Sequence, residues 1–279
     1  MQELKDMEIG VMFWDSGNPA ACIKEQKAFG VRCGQLAFGG DADLKGSAAA
    51  WKKALADENF TVVTLFAAYK GENYADIPTV QRTVGFIPPA TRAEREARTL
   101  AISDLAAELG VPGIATHVGF VPESNRDPNY LIVRDMVRRV CDHAAKHGQT
   151  FALETGQESA DTLLDFFLEV NRDNLRINFD PANMILYGTG DPIAALGVLQ
   201  AHVVSVHCKD GDWPPKGVPG ALGTEKPLGQ GSVGMDRFID KLKQIHYRGA
   251  LCVEREVHDR DERARDVRSG IDLLRKLVG

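Results

Sequence analysis

The chain has 279 residues, with 33 Lys plus Arg against 39 Asp plus Glu, and its net charge of −6 gives no field to draw nucleic acid or an anionic membrane surface. No apolar run approaches the ~20 residues a membrane-spanning helix needs, and the opening MQELKDMEIGVMF lacks an apolar stretch followed by a small-residue cleavage site, so a cytoplasmic location is expected. The five cysteines form no C-x-x-C pair and fit reduced, buried thiols, and the length suits one α/β barrel domain over residues 1–279 better than two smaller domains.

In chain order, short β-branched runs alternate with stretches of helical periodicity, the pattern of a parallel sheet built from βα units. EIGVMFW precedes a helix over 19–29, GVRCGQLAF one over 47–58, FTVVTLFA one over 91–109 and GIATHVGF one over 128–147. QTFALET is then followed by a helix over 159–169, RINFD by 192–199, VVSVHC by 235–245 and ALCVE by 262–277. Thr91 with Glu94 reads as a capping box, Gly110 and Gly148 as helix C-terminal glycines, and Asp191 before Pro192 as an N-cap with proline in the first turn. Eight such units without a composition break argue for one closed (β/α)8 barrel, with an open doubly wound sheet as the competing architecture. Two connections exceed an ordinary βα loop, residues 69–90 after the third strand and the Gly- and Pro-rich 209–233 after the seventh, which is long enough to roof a barrel mouth.

Four of the last runs end alike: Glu154 closes FALETG, Asp180 RINFDP, His207 VVSVHCKD and Glu254 ALCVERE. A polar residue closing a single strand is most often a cap or turn former. In a (β/α)8 barrel, however, all strand C-termini open on one mouth, so four in succession would converge there. Three carboxylates and one imidazole make a hard donor set, suited to one divalent ion, Mn²⁺ first, with Mg²⁺, Co²⁺ or Zn²⁺ as the other candidates. His117 in ATHVGF would reach the same mouth as a substrate hydrogen-bonding residue. Lys209 follows His207 closely and could neutralise an enediolate or bind a phosphate, while Glu158 and Glu256 are carboxylates positioned to orient a ligand. Trp14, closing the first strand beside Phe13, could stack on a sugar face. The GQG at 229–231 lacks a preceding strand and is no dinucleotide fingerprint.

Taken in order, ALETG, NFDPAN, SVHCKD and YRGALCVERE resemble the xylose-isomerase-like sugar isomerase and epimerase superfamily, which includes ketose 3-epimerases and inosose dehydratases, over essentially the whole chain. The resemblance implies that Glu154, Asp180, His207 and Glu254 bind the metal and that Glu154 and Glu254 are the two bases. It implies a small carbohydrate substrate, a keto-sugar or related polyol handled through an enediolate, and a homodimer or homotetramer. Ketose 3-epimerases carry a His three residues beyond the sixth-strand acid, where this chain has Asn183, which can orient a hydroxyl but cannot carry a proton. That departure keeps open a metal-dependent lyase, either an inosose-type dehydratase or an enzyme eliminating from an oxidised glycoside.

Overall fold

The computed structural model describes residues 4–279, so the first three residues of the expected domain lie outside the described residues. In chain order the elements are β1 (Ile9–Trp14), α1 (Pro19–Lys27), β2 (Cys33–Phe38), α2 (Ala48–Glu58), β3 (Thr61–Ala67), α3 (Ile77–Thr83), α4 (Arg92–Leu109), β4 (Gly113–Thr116), α5 (Pro128–Ala145) and β5 (Thr150–Glu154). They continue with α6 (Ala160–Val170), β6 (Leu175–Phe179), α7 (Pro181–Tyr187), α8 (Pro192–Leu199), β7 (Val203–Cys208), β8 (Asp210–Asp212), β9 (Thr224–Lys226), α9 (Met235–Gln244), β10 (Leu251–Val253) and α10 (Arg260–Val278). Eight parallel strands close into a barrel in the order β1-β10-β7-β6-β5-β4-β3-β2, and β8 and β9 form a separate antiparallel pair. The chain is therefore a (β/α)8 barrel.

Two-residue periodicity decides what fills the barrel. One set of alternate positions packs outward under the helices, where the fully buried Trp51, Phe13 and Phe38 meet edge to face or tilted. The other set points inward. Met12, Ala37, Phe66, Ala115 and Ala152 come from five strands and form one cluster inside the barrel. Beside it Gln35 Nε2 donates to Asn178 Oδ1 at 3.0 Å, bridging β2 and β6 on opposite sides of the closed order. All five cysteines are buried and unpaired.

Several local expectations are corrected. Thr91 sits in a helical conformation after a 3₁₀ turn over Pro89–Thr91 and makes no side-chain cap bond, so the capping box with Glu94 does not form. The fourth strand stops at Thr116 rather than running through Phe120, because Gly119 adopts φ +81° and turns the backbone. Two short helices, α3 and α7, were missed, although each opens as the recognised α8 does, with an Asp N-cap and Pro in the first turn. Connection 209–233 holds the β8–β9 hairpin, whose strands the sequence reading did not separate from the loop.

The 69–90 connection is clamped to the loop after β4 by a backbone crossing at two glycines. A Cβ on Gly85 (φ +67°) would lie 2.0 Å from the carbonyl carbon of Val118, and one on Gly119 would lie 2.4 Å from Val84 O. Phe86 N donates to Val118 O at 2.9 Å across the same crossing. Gly85→Ala is expected to cost at least about 2 kcal/mol, from left-handed strain plus a backbone clash, read as a lower urea midpoint at unchanged slope.

Candidate active site

The four strand-end residues meet. Ligand atoms of Glu154, Asp180, His207 and Glu254 all lie within 4.8 Å of one another, and all four residues are deeply buried. His207 Nδ1 is 2.9 Å from Glu154 Oε1 and 3.1 Å from Glu254 Oε2. Asp180 divides its carboxylate between both readings of a strand-end acid. Oδ1 accepts from Ala182 N and Asn183 N and caps α7, whereas Oδ2 is buried and accepts no hydrogen bond. Glu254 Oε2 is also buried without a partner of hydrogen-bond geometry. Lys209 Nζ stands 3.9 Å from Asp180 Oδ2 and 3.4 Å from Glu254 Oε2 without hydrogen-bonding to either, so two buried oxygens beside a third carboxylate are left with the lone pairs a divalent ion could take up.

The imidazole is oriented from beneath. His207 Nε2 lies 3.1 Å from Gln35 Oε1, and Gln35 is itself fixed by its bond to Asn178 Oδ1, which also accepts from Ser205 Oγ at 2.6 Å. With Nε2–H donating to Gln35, Nδ1 is the nitrogen turned toward the carboxylates, the usual outer support of a metal-binding imidazole. The Phe66 ring forms the apolar floor, 5.9 Å from the His207 ring and 5.6 Å from that of His117.

Electrostatics separate the three acids. Burial opposes ionisation of Glu154, but His117 and His207 outweigh it and hold its pKa below the ordinary glutamate value. Burial likewise works against Glu254, which His207 and Lys209 bring far below that value. Asp180 goes the other way: burial pushes it well above the aspartate range, Lys209 opposes this, and the Glu154 and Glu254 charges reinforce it. Burial disfavours the His207 cation too, yet Glu254 and Glu154 keep its pKa well above the ordinary value. Without an ion the cluster therefore retains protons that a metal would displace.

Most of the residues read from the sequence as substrate contacts gather around this cluster. His117 Nε2 is 3.0 Å from Glu154 Oε2, and Asn183 Nδ2 donates to Glu154 Oε1 at 3.2 Å. Lys209, only 3% exposed, lies 2.6 Å from Glu256 Oε2 and 3.4 Å from Glu254 Oε2. Together with Tyr74, Tyr187 and Glu225, the residues His117, Asn183, Lys209 and Glu256 line a cavity of about 350 Å³ over the cluster.

Two residues lie elsewhere. Trp14 is 43% exposed and borders a separate open cleft of about 580 Å³, with Asp41 and Trp51. Glu158 is buried outside the cavity lining, where its Oε1 accepts from Val121 N at 2.7 Å and braces the loop after His117. Burial pushes its pKa up to about 8, against a partial pull down by the Val121 hydrogen bond. A raised carboxyl pKa means that the folded protein keeps a proton the unfolded chain releases, so stability falls as pH rises from about 4.5 to about 8. Glu158→Gln keeps the Val121 acceptor without the charge. Its stability relative to the parent should rise from near zero at pH 4 to roughly 3 kcal/mol at pH 9, read by urea unfolding at both pH values.

The sequence reading passed over several residues that shape the cavity. Glu72 accepts from Tyr69 N and Gly85 N and closes the loop that carries Tyr74 over His117, with ring centroids 5.7 Å apart. The Asp210 carboxylate collects the amides of Gly211, Gly229, Gly231 and Val233, so the GQG segment wraps an acid. Glu225 on β9 accepts from Glu256 N and pairs with Arg255 at 2.9 Å, docking the hairpin beside the end of β10.

The family model described as xylose isomerase-like TIM barrel matches residues 23–277, and the chain belongs to that family. Its fold superposes on a xylose isomerase domain protein from Planctomyces limnophilus with TM-score 0.91 at 41% identity, over 98% of this chain and 97% of that one. A 3-keto-D-glucoside 4-epimerase from E. coli gives TM-score 0.70 at 18% identity, over 97% and 99%. A probable 3-DHS dehydratase of petrobactin synthesis from Bacillus anthracis gives 0.67 at 15%, over 96% and 99%. No curated protein matches the sequence. No helix among the described residues is long and apolar enough to cross a membrane.

Proposed function

We propose that the protein is a divalent-metal-dependent isomerase or epimerase of a keto-sugar or related polyol, with Glu154, Asp180, His207 and Glu254 holding the ion. The observation that carries this reading is the pair of buried carboxylates, Glu154 and Glu254, both held ionised and both touching His207 Nδ1 from strands three places apart around the rim. When bound, a hard ion such as Mn²⁺ would supply Lewis-acid polarisation of a substrate carbonyl.

The protein's own groups do the rest. One of the two carboxylates removes the proton on the carbon beside the carbonyl, and the other returns it from the opposite face, inverting that carbon through an enediolate. Return to the neighbouring carbon gives isomerisation instead. His117, whose Nε2 stands 3.0 Å from Glu154 Oε2, aligns that carboxylate, and Asn183 orients a substrate hydroxyl. The Lys209 ammonium offsets charge developing on the substrate oxygens. Tyr74, Tyr187, Leu186 and Leu222 wall the cavity and exclude water from the reacting carbon.

The elimination reading draws on Asn183 and on Lys209 as proton donor to a leaving hydroxyl. Burial would ease loss of the Lys209 proton, but Glu254, Glu256, Asp180 and Glu225 overcome it and raise the pKa well above the lysine value. A proton held so firmly suits charge stabilisation better than transfer, which favours epimerisation. A panel of ketoses and 3-keto-glycosides incubated with the Mn²⁺-loaded protein in D₂O should yield one substrate that gains deuterium at unchanged heavy-atom composition. Product lighter by one water or by the aglycone would assign the lyase, and absence of both exchange and product across the panel would overturn the reading.

A further inference from the structure

A second cluster of metal-ligating side chains lies on the outer helical layer, at the face of the barrel opposite the mouth. His143 in the last turn of α5 and His147 four residues on face the same way, with ring centroids 5.4 Å apart. Asp104 on the neighbouring helix α4 meets both: its Oδ1 is 2.7 Å from His143 Nε2 and 3.1 Å from His147 Nε2. We propose that Asp104, His143 and His147 form a peripheral binding site for a borderline transition-metal ion of the Zn²⁺ or Ni²⁺ type, which ties α4 to α5.

Donor chemistry, spacing and rigidity support the assignment. Two imidazole nitrogens with one carboxylate oxygen suit Zn²⁺, Ni²⁺ or Cu²⁺, in contrast to the oxygen-rich set at the mouth. Metal bonds of ~2.0–2.1 Å in a tetrahedron place ligand atoms about 3.3 Å apart, so atoms now 2.7 and 3.1 Å apart need to spread by about 0.6 and 0.2 Å. All three candidate ligand atoms already lie within 4.8 Å of one another, on side chains that are partly exposed.

The scaffold is stiff on both sides. Ser103, beside Asp104, donates its hydroxyl to Gln149 Oε1 at 2.6 Å, and Gln149 Nε2 returns a bond to Ser103 O at 3.0 Å. His147 N and Gln149 N both bond to Ala144 O, which fixes the turn after α5. The ligands are thus held by pinned backbone on α4 and α5 rather than by a mobile loop, and three protein donors leave a further position for water or for a group from another molecule.

Zinc stoichiometry decides the matter, read by equilibrium dialysis on the whole protein and on His143→Gln, His147→Gln, Asp104→Asn and the mouth variant His207→Ala. The parent should bind one more Zn²⁺ than His143→Gln or His147→Gln, and His207→Ala should retain that ion. Asp104→Asn should weaken it at least tenfold, and a Zn²⁺-dependent rise in Tm of a few degrees should vanish in the two histidine variants. X-ray absorption of Zn²⁺ on His207→Ala should show two imidazole ligands. Equal zinc binding by the parent and both histidine variants would reduce the cluster to a pair of His–Asp hydrogen bonds and overturn the proposal. Each histidine variant is mixed with Mn²⁺ as a folding control, because failure at the mouth is a separate outcome.

Discussion

Glu154→Gln and Glu254→Gln are each expected to lower solvent-deuterium exchange into the substrate by about 10³-fold or more, the scale of losing a positioned base together with a charged metal ligand. The amide is nearly the same size as the carboxylate and can still accept a hydrogen bond from its neighbours, such as the Asn183 Nδ2 contact to Glu154 Oε1. The loss would therefore report charge and basicity rather than collapse. The two variants should differ in one respect. Glu154 also meets His117 at 3.0 Å, so its removal frees that imidazole, whereas removal of Glu254 leaves Lys209 with Asp180 and Glu256. Mass spectrometry of substrate recovered from D₂O checks both, and undiminished exchange in either variant would remove that residue as a base.

Asp180→Asn should act in opposite directions on the two forms of the protein. In the metal-free form Asp180 is the acid whose ionisation its surroundings resist, by burial first and by the adjacent Glu154 and Glu254 charges next. Its folded pKa is raised, so the stability tied to the bound proton is present at low pH and lost as pH climbs through that folded value. Asn is an equally good N-cap for α7, keeps an oxygen for Ala182 N and Asn183 N, and removes the charge from a buried Oδ2 that accepts no hydrogen bond. Metal-free Asp180→Asn should consequently melt a few degrees higher than the parent at pH 8, with the gain fading toward pH 4.

Adding Mn²⁺ reverses the order. Ion at a hundredfold over its Kd stabilises the parent by about 2.7 kcal/mol, whereas the variant, short of one anionic ligand, should lose most of that gain. Calorimetric melting with and without Mn²⁺ at the two pH values tests both halves, and a lower metal-free Tm for the variant would show that Asp180 serves α7 alone.

The barrel was legible because its periodicity is written twice, as strand alternation and as the eightfold βα repeat. The same alternation carried Glu154, Asp180, His207 and Glu254 to one rim: once a strand's register is set, an inward residue at its last position has nowhere else to face. His117 was legible for the same reason even though its strand ends at Thr116, one residue before it. Trp14 shows the limit of the rule, since its place at a strand end set it in a separate cleft with Asp41 and Trp51 rather than in the cavity that His117 and Lys209 line. Glu158 was placed by sequence proximity to Glu154, yet the chain turns at Gly156 and buries it under the β4 loop.

The sequence by itself determined the architecture and the identity of the four converging strand-end residues, because hydrophobic periodicity and side-chain chemistry are local properties that survive any arrangement of the loops. Only the tertiary structure decided which acid is pushed toward its protonated form, which imidazole nitrogen faces the carboxylates, and that an Asp104 far along the chain meets His143 and His147. Each of those depends on burial and on contacts between segments distant in sequence, such as Gln35 to His207 across the barrel, and no periodicity records them.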